Sequence, residues 1–375
     1  MLSYSRQCIE DDDIEAVVSV LKSPYLAQGP RVVEFEEDLS SYCNVKYAVT
    51  FNSATSALFA TYSVIGIGEG DEIITTPISF VATANMFVAL GAKPIWCDVK
   101  FDGNIDASKI EELITEKTKA IVVVDFAGKP VDMEAVELIA KKYNLFLIDD
   151  ASHALGSSSK EKKIGSFGVM SIFSFHAIKP ITTGEGGAVL TNNSKYATAL
   201  KAFRSHGIIK KELWNSDMTG MGFNLRMTEI AAALGSSQLK KLDRFIMQRN
   251  RIASYYDEKF MVEKLFTTQK IEKEQISSRH LYPVILNPEL HCMKEEIFKE
   301  LQAKGLGVQV HYKPIYQNDF YRKKFGEISL PIANDFYRSE ISIPCNQTMS
   351  MKDAQYVVDT FLDVIKQYSY RGCSF

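Results

Sequence analysis

A strand-like run leads straight into a helix-opening turn in the stretch Tyr47-Ala48-Val49-Thr50-Phe51-Asn52-Ser53-Ala54-Thr55-Ser56-Ala57-Leu58. Its first five residues are β-prone, and the residues after the turn follow helical spacing. The same alternation of short strand-like runs and helical patterns continues from Lys46 to about Tyr196. Strands separated by helices of about 10–15 residues predict crossover connections and a mainly parallel sheet that is covered on both faces.

This region predicts an α/β domain built on a seven-stranded sheet. The strands are expected at Tyr47–Phe51, Glu72–Thr75, Pro94–Val99, Ala120–Phe126, Leu145–Ile148, Val169–Phe175 and Gly187–Thr191. Helices are expected between them at Ser53–Ile65, Phe80–Leu90, Asp106–Glu116 and Asp132–Tyr143.

The pattern changes after Gly222. Residues Met227 to about Phe260 contain no proline and only one glycine, which predicts one long helix or two abutting helices. Beyond them, strands are expected at Leu281–Leu286, Val308–Tyr312 and Ile341–Pro344, and helices at Met293–Lys304 and Met351–Tyr368. We therefore predict a large domain over residues 1–240 and a smaller α+β domain over residues 241–375.

Composition narrows the class of protein. With 46% hydrophobic and 24% charged residues, the chain has the mix of a globular protein and not of a disordered one. A net charge of −3 without a basic stripe predicts no nucleic-acid partner. No apolar run approaches the ~20 residues of a membrane helix, and the first residues lack the order of a signal peptide, so a cytoplasmic protein is expected. The cysteines form no C-x-x-C pair and the histidines show no ligand spacing, which predicts no metal site.

Ligands of open parallel sheets bind just beyond the carboxyl ends of the strands. The first such end is followed by residues 52–58, a run of small hydroxyl residues that opens a helix. Free N–H groups and the helix dipole make such a turn suitable for a phosphate. The alternative for this segment is a plain helix N-cap by Ser53 or Thr55.

Two further strand ends carry chemically useful groups. Asp149-Asp150 follows Leu145–Ile148, and buried carboxylates need a positive or protonated partner, although one of them could instead cap the next helix. Lys179 stands beside the apolar Ile178 just past another strand. A partly desolvated lysine has a lowered pKa and becomes nucleophilic. A phosphate cradle, a strand-end aspartate and such a lysine together are the groups that hold pyridoxal 5′-phosphate.

With these groups, the sequence resembles the DegT/DnrJ/EryC1 family of sugar aminotransferases, a branch of the fold-type I pyridoxal-phosphate enzymes. The resemblance covers nearly the whole chain. It rests on blocks in the right order: Tyr25-Leu26-Ala27-Gln28-Gly29-Pro30, Asn52 to Leu58, Asp150 to Gly156, Ser174 to Lys179, Gly184-Glu185-Gly186-Gly187 and Gly222-Phe223-Asn224-Leu225-Arg226-Met227. It implies a fold-type I transferase that works as a homodimer.

The resemblance also implies roles for individual residues. Lys179 would be the catalytic residue, binding the cofactor covalently and moving a proton between substrate and cofactor. The cofactor contacts would be Asp150 at the pyridine nitrogen, His153 near the ring oxygen, Ala54, Thr55 and Ser174 at the phosphate, Phe80 against the ring face, and Asn224 at the phosphate of the neighbouring subunit. His311 and Tyr312 would approach the substrate. For Phe80 the alternative is a core position on an amphipathic helix.

The implied reaction is amino transfer from L-glutamate to the 4-keto carbon of a UDP-linked 4-keto-6-deoxy-N-acetylhexosamine. Sugar dehydratases related to the family carry histidine in place of the lysine, so the presence of Lys179 favours amino transfer. The alternatives are a transaminase or dehydratase acting on another nucleotide-linked keto sugar, and a non-catalytic regulator that binds the cofactor on the same fold.

Overall fold

The computed structural model describes residues 1–212 and 214–369. The strands are β1 Leu2–Ser3, β2 Tyr47–Phe51, β3 Glu72–Thr75, β4 Lys93–Trp96, β5 Thr118–Val124, β6 Phe146–Asp150, β7 Ser158–Ser159, β8 Lys162–Lys163, β9 Met170–Ser174, β10 Gly187–Thr191, β11 Ile208–Glu212, β12 Asn215–Met218, β13 Phe266–Thr268, β14 Gln275–Ile276, β15 Tyr282–Leu286, β16 Leu306–Gly307 and β17 Glu340–Ile343. The α-helices are α1 Asp11–Leu21, α2 Pro30–Tyr42, α3 Ala54–Val64, α4 Ala82–Ala89, α5 Met133–Lys142, α6 Ser194–Phe203, α7 Glu229–Leu239, α8 Leu242–Phe260, α9 Lys294–Ala303, α10 Asp319–Phe325, α11 Pro331–Ser339 and α12 Met351–Ser369.

The predicted seven-stranded sheet is confirmed. Its strand order is β2-β10-β9-β6-β5-β3-β4. Strand β10 is antiparallel to both of its neighbours, and the other pairs in the sheet are parallel. Because β10 runs the opposite way, its first residue, Gly187, lies level with the last residues of β2 and β9. The amino end of β10 therefore belongs to the same sheet edge as the carboxyl ends of the other strands.

Helices cover both faces of this sheet, as the continuous apolar strands require. Alternate residues of one strand enter different cores, because side chains point to opposite faces along a strand. In β6, Leu147 packs into the core beneath α2, α5 and α7, whereas Ile148 packs into the core beneath α3, α4 and α6. Because of this alternation, the two aspartates that end β6, Asp149 and Asp150, point to opposite faces of the sheet.

Two sequence expectations are wrong. The helix expected at Asp106–Glu116 is replaced by two short 3₁₀ turns, Ala107–Lys109 and Glu111–Leu113. There Asp106 caps the first turn by accepting hydrogen bonds from the N–H and the hydroxyl of Ser108, and the extended backbone of Ile114 ends the second turn.

The strand expected at Val308–Tyr312 does not form either. Only β16 pairs as a strand, and Gln309 adds a single bridge to Ser342. The N–H of His311 is donated to the Glu340 side chain at 2.7 Å instead of to a ladder partner. For the long helical region after Met227, the two-helix alternative is correct, with α7 ending before α8 begins.

The second part of the chain packs α8, α9 and α12 around the antiparallel sheet β13-β15-β17. Strand β1 pairs in parallel with β16, with Leu2 opposite Leu306, so the first residues are attached to this second part. The division at residue 240 stays a prediction. Within the described ranges, we find no helix that is long and apolar enough to span a membrane.

Candidate active site

A cavity of about 470 Å³ opens at the carboxyl edge of the main sheet, where the second part of the chain meets it. Nine of the ten predicted site residues line it: Ala54, Thr55, Phe80, Asp150, His153, Ser174, Lys179, His311 and Tyr312. Asn224 does not line it. The structure thus brings together side chains from both parts of the chain, and whether each has its predicted role stays a prediction.

The helix-opening turn forms one wall of the cavity. Ser53 caps α3 by accepting from the N–H of Ser56 at 3.1 Å, so the N-cap alternative is correct for this residue. Ser53 itself lines the cavity, and so do Ala54 and Thr55 at the first two helical positions, where N–H groups have no acceptor within the helix. Gly187 allows this close packing, since a Cβ atom there would lie 2.5 Å from the Ala54 nitrogen.

Asp150 is 3% exposed, and its carboxylate is held from both sides. The hydroxyl of Thr83 donates to Oδ2 at 2.6 Å, and the hydroxyl of Ser152 donates to Oδ1 at 2.5 Å. Thr83 Oγ1 lies in turn 2.7 Å from Ser79 Oγ. The carboxylate is therefore fixed at the cavity wall.

Asp149 points to the other face of the sheet and does not line the cavity. It is fully buried, accepts from the Ser171 hydroxyl at 3.1 Å and contacts the carboxyl group of Asp125. Burial and the neighbouring Asp125 charge raise the pKa of Asp149 well above its ordinary value. Asp149 is therefore buried away from the cavity, whereas Asp150 is the acid that faces it.

Lys179 is half-buried in the cavity wall, on the turn that follows β9. Its N–H donates to the carbonyl of His176 at 2.9 Å, which closes the turn. Burial lowers the pKa of the Lys179 side chain to about 8, although the Asp150 charge acts in the opposite direction. A lysine in this state supplies a neutral amine, the form that acts as a nucleophile.

The second part of the chain contributes His311 and Tyr312. The hydroxyl of Tyr312 lies 3.2 Å from His153 Nε2, and His311 Nδ1 lies 2.8 Å from the hydroxyl of Ser342 on β17. Burial and the Lys179 charge lower the pKa of His153 well below its ordinary value and that of His311 to about 3. Both histidines therefore remain neutral at the cavity.

Phe80 is 60% exposed, so its core alternative is wrong. Its ring lines the cavity, with its centroid 6.4 Å from that of Tyr312. Asn224 is exposed outside the cavity and bridges to Ser205.

The residues of the cavity wall that sequence reasoning missed include Tyr4, Thr83 and His280. Thr83 lies three residues after Phe80 within the helix predicted at Phe80–Leu90, so a search for hydroxyl groups near the predicted ring contact would have found it. Tyr4 and His280 have no local signal. They reach the cavity through long-range packing of the first residues and of the segment before β15.

The fold and the site define an α/β protein in which a partly buried lysine, an aspartate and the amino end of a helix line one cavity. Residues 7–362 match the DegT/DnrJ/EryC1/StrS aminotransferase family, and the chain belongs to this family. The predicted fold class and the predicted aminotransferase class are thereby confirmed.

Individual relatives are similar to this chain over nearly their full length. The UDP-4-amino-4,6-dideoxy-N-acetyl-beta-L-altrosamine transaminase of Campylobacter jejuni strain 81-176 is 50% identical, with 100% of both chains covered. Helicobacter pylori PseC, an aminotransferase involved in the biosynthesis of pseudoaminic acid, superposes with a TM-score of 0.96 at 44% identity, covering 98% of this chain and 99% of that one. The PLP-form of the putative sugar aminotransferase Spr1654 from Streptococcus pneumoniae superposes with a TM-score of 0.92 at 29% identity, covering 97% and 98%.

Proposed function

We propose that this protein is a pyridoxal 5′-phosphate-dependent aminotransferase that moves the amino group of L-glutamate to the 4-keto carbon of a UDP-linked 4-keto-6-deoxy-N-acetylhexosamine, as in pseudaminic acid biosynthesis. The main observation in support of this reaction is that one cavity is lined by Lys179, Asp150 and the amino end of α3, and that the pKa of Lys179 is lowered to about 8. The substrate is supported by the full-length similarity to the Campylobacter jejuni transaminase.

The residues present fit the cofactor. The phosphate belongs at the first turn of α3, where Ala54 and Thr55 offer N–H groups and Ser174 adds a hydroxyl. The pyridine nitrogen belongs at Asp150, whose negative charge keeps that nitrogen protonated. Phe80, with an exposed ring in the cavity, suits the flat face of the cofactor.

In this site the chain has four tasks. Bound pyridoxal phosphate supplies an electron-accepting ring that stabilises negative charge on the reacting carbon. Lys179 would move a proton between the substrate carbon and the cofactor with its neutral Nζ, in one direction during the first half of the reaction and in the reverse direction during the second. Asp150 holds a proton at the ring nitrogen, and the α3 turn fixes the phosphate so that the reacting atoms stay beside Lys179. His311 and Tyr312, on the side of the cavity formed by the second part of the chain, orient the sugar.

The reaction is tested by incubating the purified protein with L-glutamate labelled with ¹⁵N and a panel of UDP-linked keto sugars. Amino transfer yields a sugar that contains the labelled nitrogen together with one 2-oxoglutarate for each amine formed. A product that has lost water without gaining nitrogen identifies a dehydratase. A protein that binds pyridoxal phosphate but converts none of the sugars is the non-catalytic regulator.

The lowered pKa of Lys179 gives a pH prediction. Burial disfavours the charged ammonium, so in the cofactor-free protein the reactive neutral amine accumulates as the pH rises through about 8, and not through the ordinary 10.5. Labelling with trinitrobenzenesulfonate at a series of pH values, followed by peptide mapping, measures this midpoint at residue 179. Lys299 is the internal control, since Glu295 raises its pKa. Identical pH profiles for the two lysines would contradict the assignment.

The protein is further proposed to act as a homodimer in the cytoplasm, with Asn224 of each subunit contacting the phosphate bound by the other. The exposure of Asn224 outside its own cavity supports this arrangement.

A hybrid dimer tests the arrangement. A co-expressed dimer of one Lys179→Ala and one Asn224→Ala subunit, purified through two different tags, retains one site with both native residues. We expect it to regain about half of the wild-type activity per dimer, whereas each variant homodimer stays impaired. If Asn224 acts within its own subunit, the hybrid is no more active than its parents, because every site then carries a lesion.

A further inference from the structure

His280 has its imidazole against the reactive lysine. Its Nε2 atom lies 3.5 Å from Lys179 Nζ, and its side chain is 1% exposed. The residue comes from the segment that precedes β15, which docks on the main sheet because the Ser278 hydroxyl donates to the carbonyl of His153 at 2.5 Å. His280 therefore reaches the lysine from the opposite part of the chain.

A buried cation fixes the backbone of His280. Arg249 is 0% exposed, and its Nη1 donates to the carbonyl oxygens of Arg279 at 3.1 Å and His280 at 3.3 Å. Its Nη2 contacts the hydroxyl of Ser5 at 3.4 Å, and that hydroxyl donates to the carbonyl of Ile178 at 2.9 Å. One guanidinium thus connects the backbone that carries His280 with the peptide that precedes Lys179. These hydrogen bonds fix the backbone of both His280 and Lys179, and therefore the distance between the two side chains.

The surroundings keep His280 neutral. Burial lowers its pKa well below the ordinary value, and the nearby groups Lys179, His153, Arg249 and His311 act in the same direction. Its Nδ1 has no hydrogen-bond partner among the residues that the structure describes, so Lys179 is its polar side-chain contact there. His153, whose ring centroid is 4.6 Å away, is already engaged with the Ala127 N–H and the Tyr312 hydroxyl.

We propose that His280 is the positioning residue of Lys179: its Nε2 accepts an N–H of the lysine and directs the remaining lone pair of the amine towards the cofactor. The idea rests on the proposed function. A neutral amine still has hydrogens to donate, so this contact persists when the lysine loses its charge. The lone pair then forms the bond to the aldehyde carbon of pyridoxal phosphate, and the aldehyde oxygen leaves as water.

The test compares His280→Met with His280→Gln, two side chains of similar length that differ in the ability to accept a hydrogen bond. In the cofactor-free proteins, absorbance stopped-flow measures the rate of covalent bond formation with pyridoxal phosphate. Binding of pyridoxine 5′-phosphate, which lacks the aldehyde, measures the non-covalent step. We expect the methionine variant to form the bond at least about tenfold more slowly, because the rate of attack falls steeply when the nucleophile is misplaced. Its binding of pyridoxine phosphate should be unchanged. The glutamine variant should recover most of the rate.

Controls separate the possible failures. His291→Met, a substitution of a histidine outside the cavity, should react at the wild-type rate. Equal rates for wild type and His280→Met overturn the proposal, and so does a parallel loss of pyridoxine phosphate binding in both His280 variants, which indicates a structural role. If the methionine variant does not fold, His280→Asn, whose amide is too short to reach Lys179, takes its place with the same expected result. If Lys179→Ala still forms the covalent bond, the proposed function itself fails.

Discussion

Replacing Lys179 with alanine is expected to lower the rate of amino transfer by at least about 10³-fold, because one change removes both the covalent attachment point and the group that moves the proton. The measurement is production of ¹⁵N-labelled amino sugar, together with the absorbance of the purified protein. The variant should keep its fold, since the side chain is half-buried at a cavity wall and not packed in a core.

Two comparisons make the Lys179 result specific. Lys179→Arg retains a positive charge but has a pKa too high to supply a neutral amine, so it should be as inactive as the alanine variant. A small primary amine such as ethylamine should restore part of the activity to Lys179→Ala, by entering the vacated space, and none to Lys179→Arg. Near-normal turnover by the alanine variant would remove Lys179 from the reaction.

Replacing Asp150 with asparagine is expected to lower the rate by about 10²–10³-fold, the usual cost of removing one preorganised electrostatic contact from an active site. The amide keeps the size of the carboxylate and can still accept from Thr83 and Ser152, but it has no negative charge with which to hold a proton at the pyridine nitrogen. The rate constant of a single half-reaction with glutamate, followed by absorbance, is the appropriate measurement.

The neighbouring aspartate provides a matched control for this variant. Asp149 is on the same strand but faces the opposite core, and burial beside Asp125 raises its pKa well above the ordinary value, which favours the protonated form. Asp149→Asn resembles its protonated form in size and charge, so we expect activity close to wild type. If Asp149→Asn and Asp150→Asn lose activity equally, the loss reflects damage to β6 and not a contact with the cofactor.

The fold was predictable wherever the pattern was local. The strands Tyr47–Phe51, Glu72–Thr75 and Gly187–Thr191 were predicted with their observed bounds, because β-prone runs there are flanked by clear turn residues. The strand expected at Val308–Tyr312 does not form, because the N–H of His311 donates to the side chain of Glu340, which is distant in sequence, and not to a neighbouring strand. Tertiary hydrogen bonding of this kind leaves no periodic signal.

For the site, too, residues with a local sequence signal were predicted, and residues placed by long-range packing were not. Lys179 and Asp150 follow predicted strands of one sheet, so a rule about strand ends was sufficient to place them in one cavity. His280 was considered only as a metal ligand and was not predicted for this site, since its contact with Lys179 depends on how two distant segments dock. A single sequence specifies such a contact only through the complete packing of the chain.

The pairing of β1 with β16 also bears on biosynthesis. Leu2 leaves the ribosome well before its partner Leu306, which lies about 300 residues further along the chain. The main sheet, complete by Thr191, has all of its strands well before that. The segment around Leu2, which includes the cavity residue Tyr4, therefore cannot pair with β16 until residue 306 has been made, so a nascent chain can complete its main sheet before it can close the site.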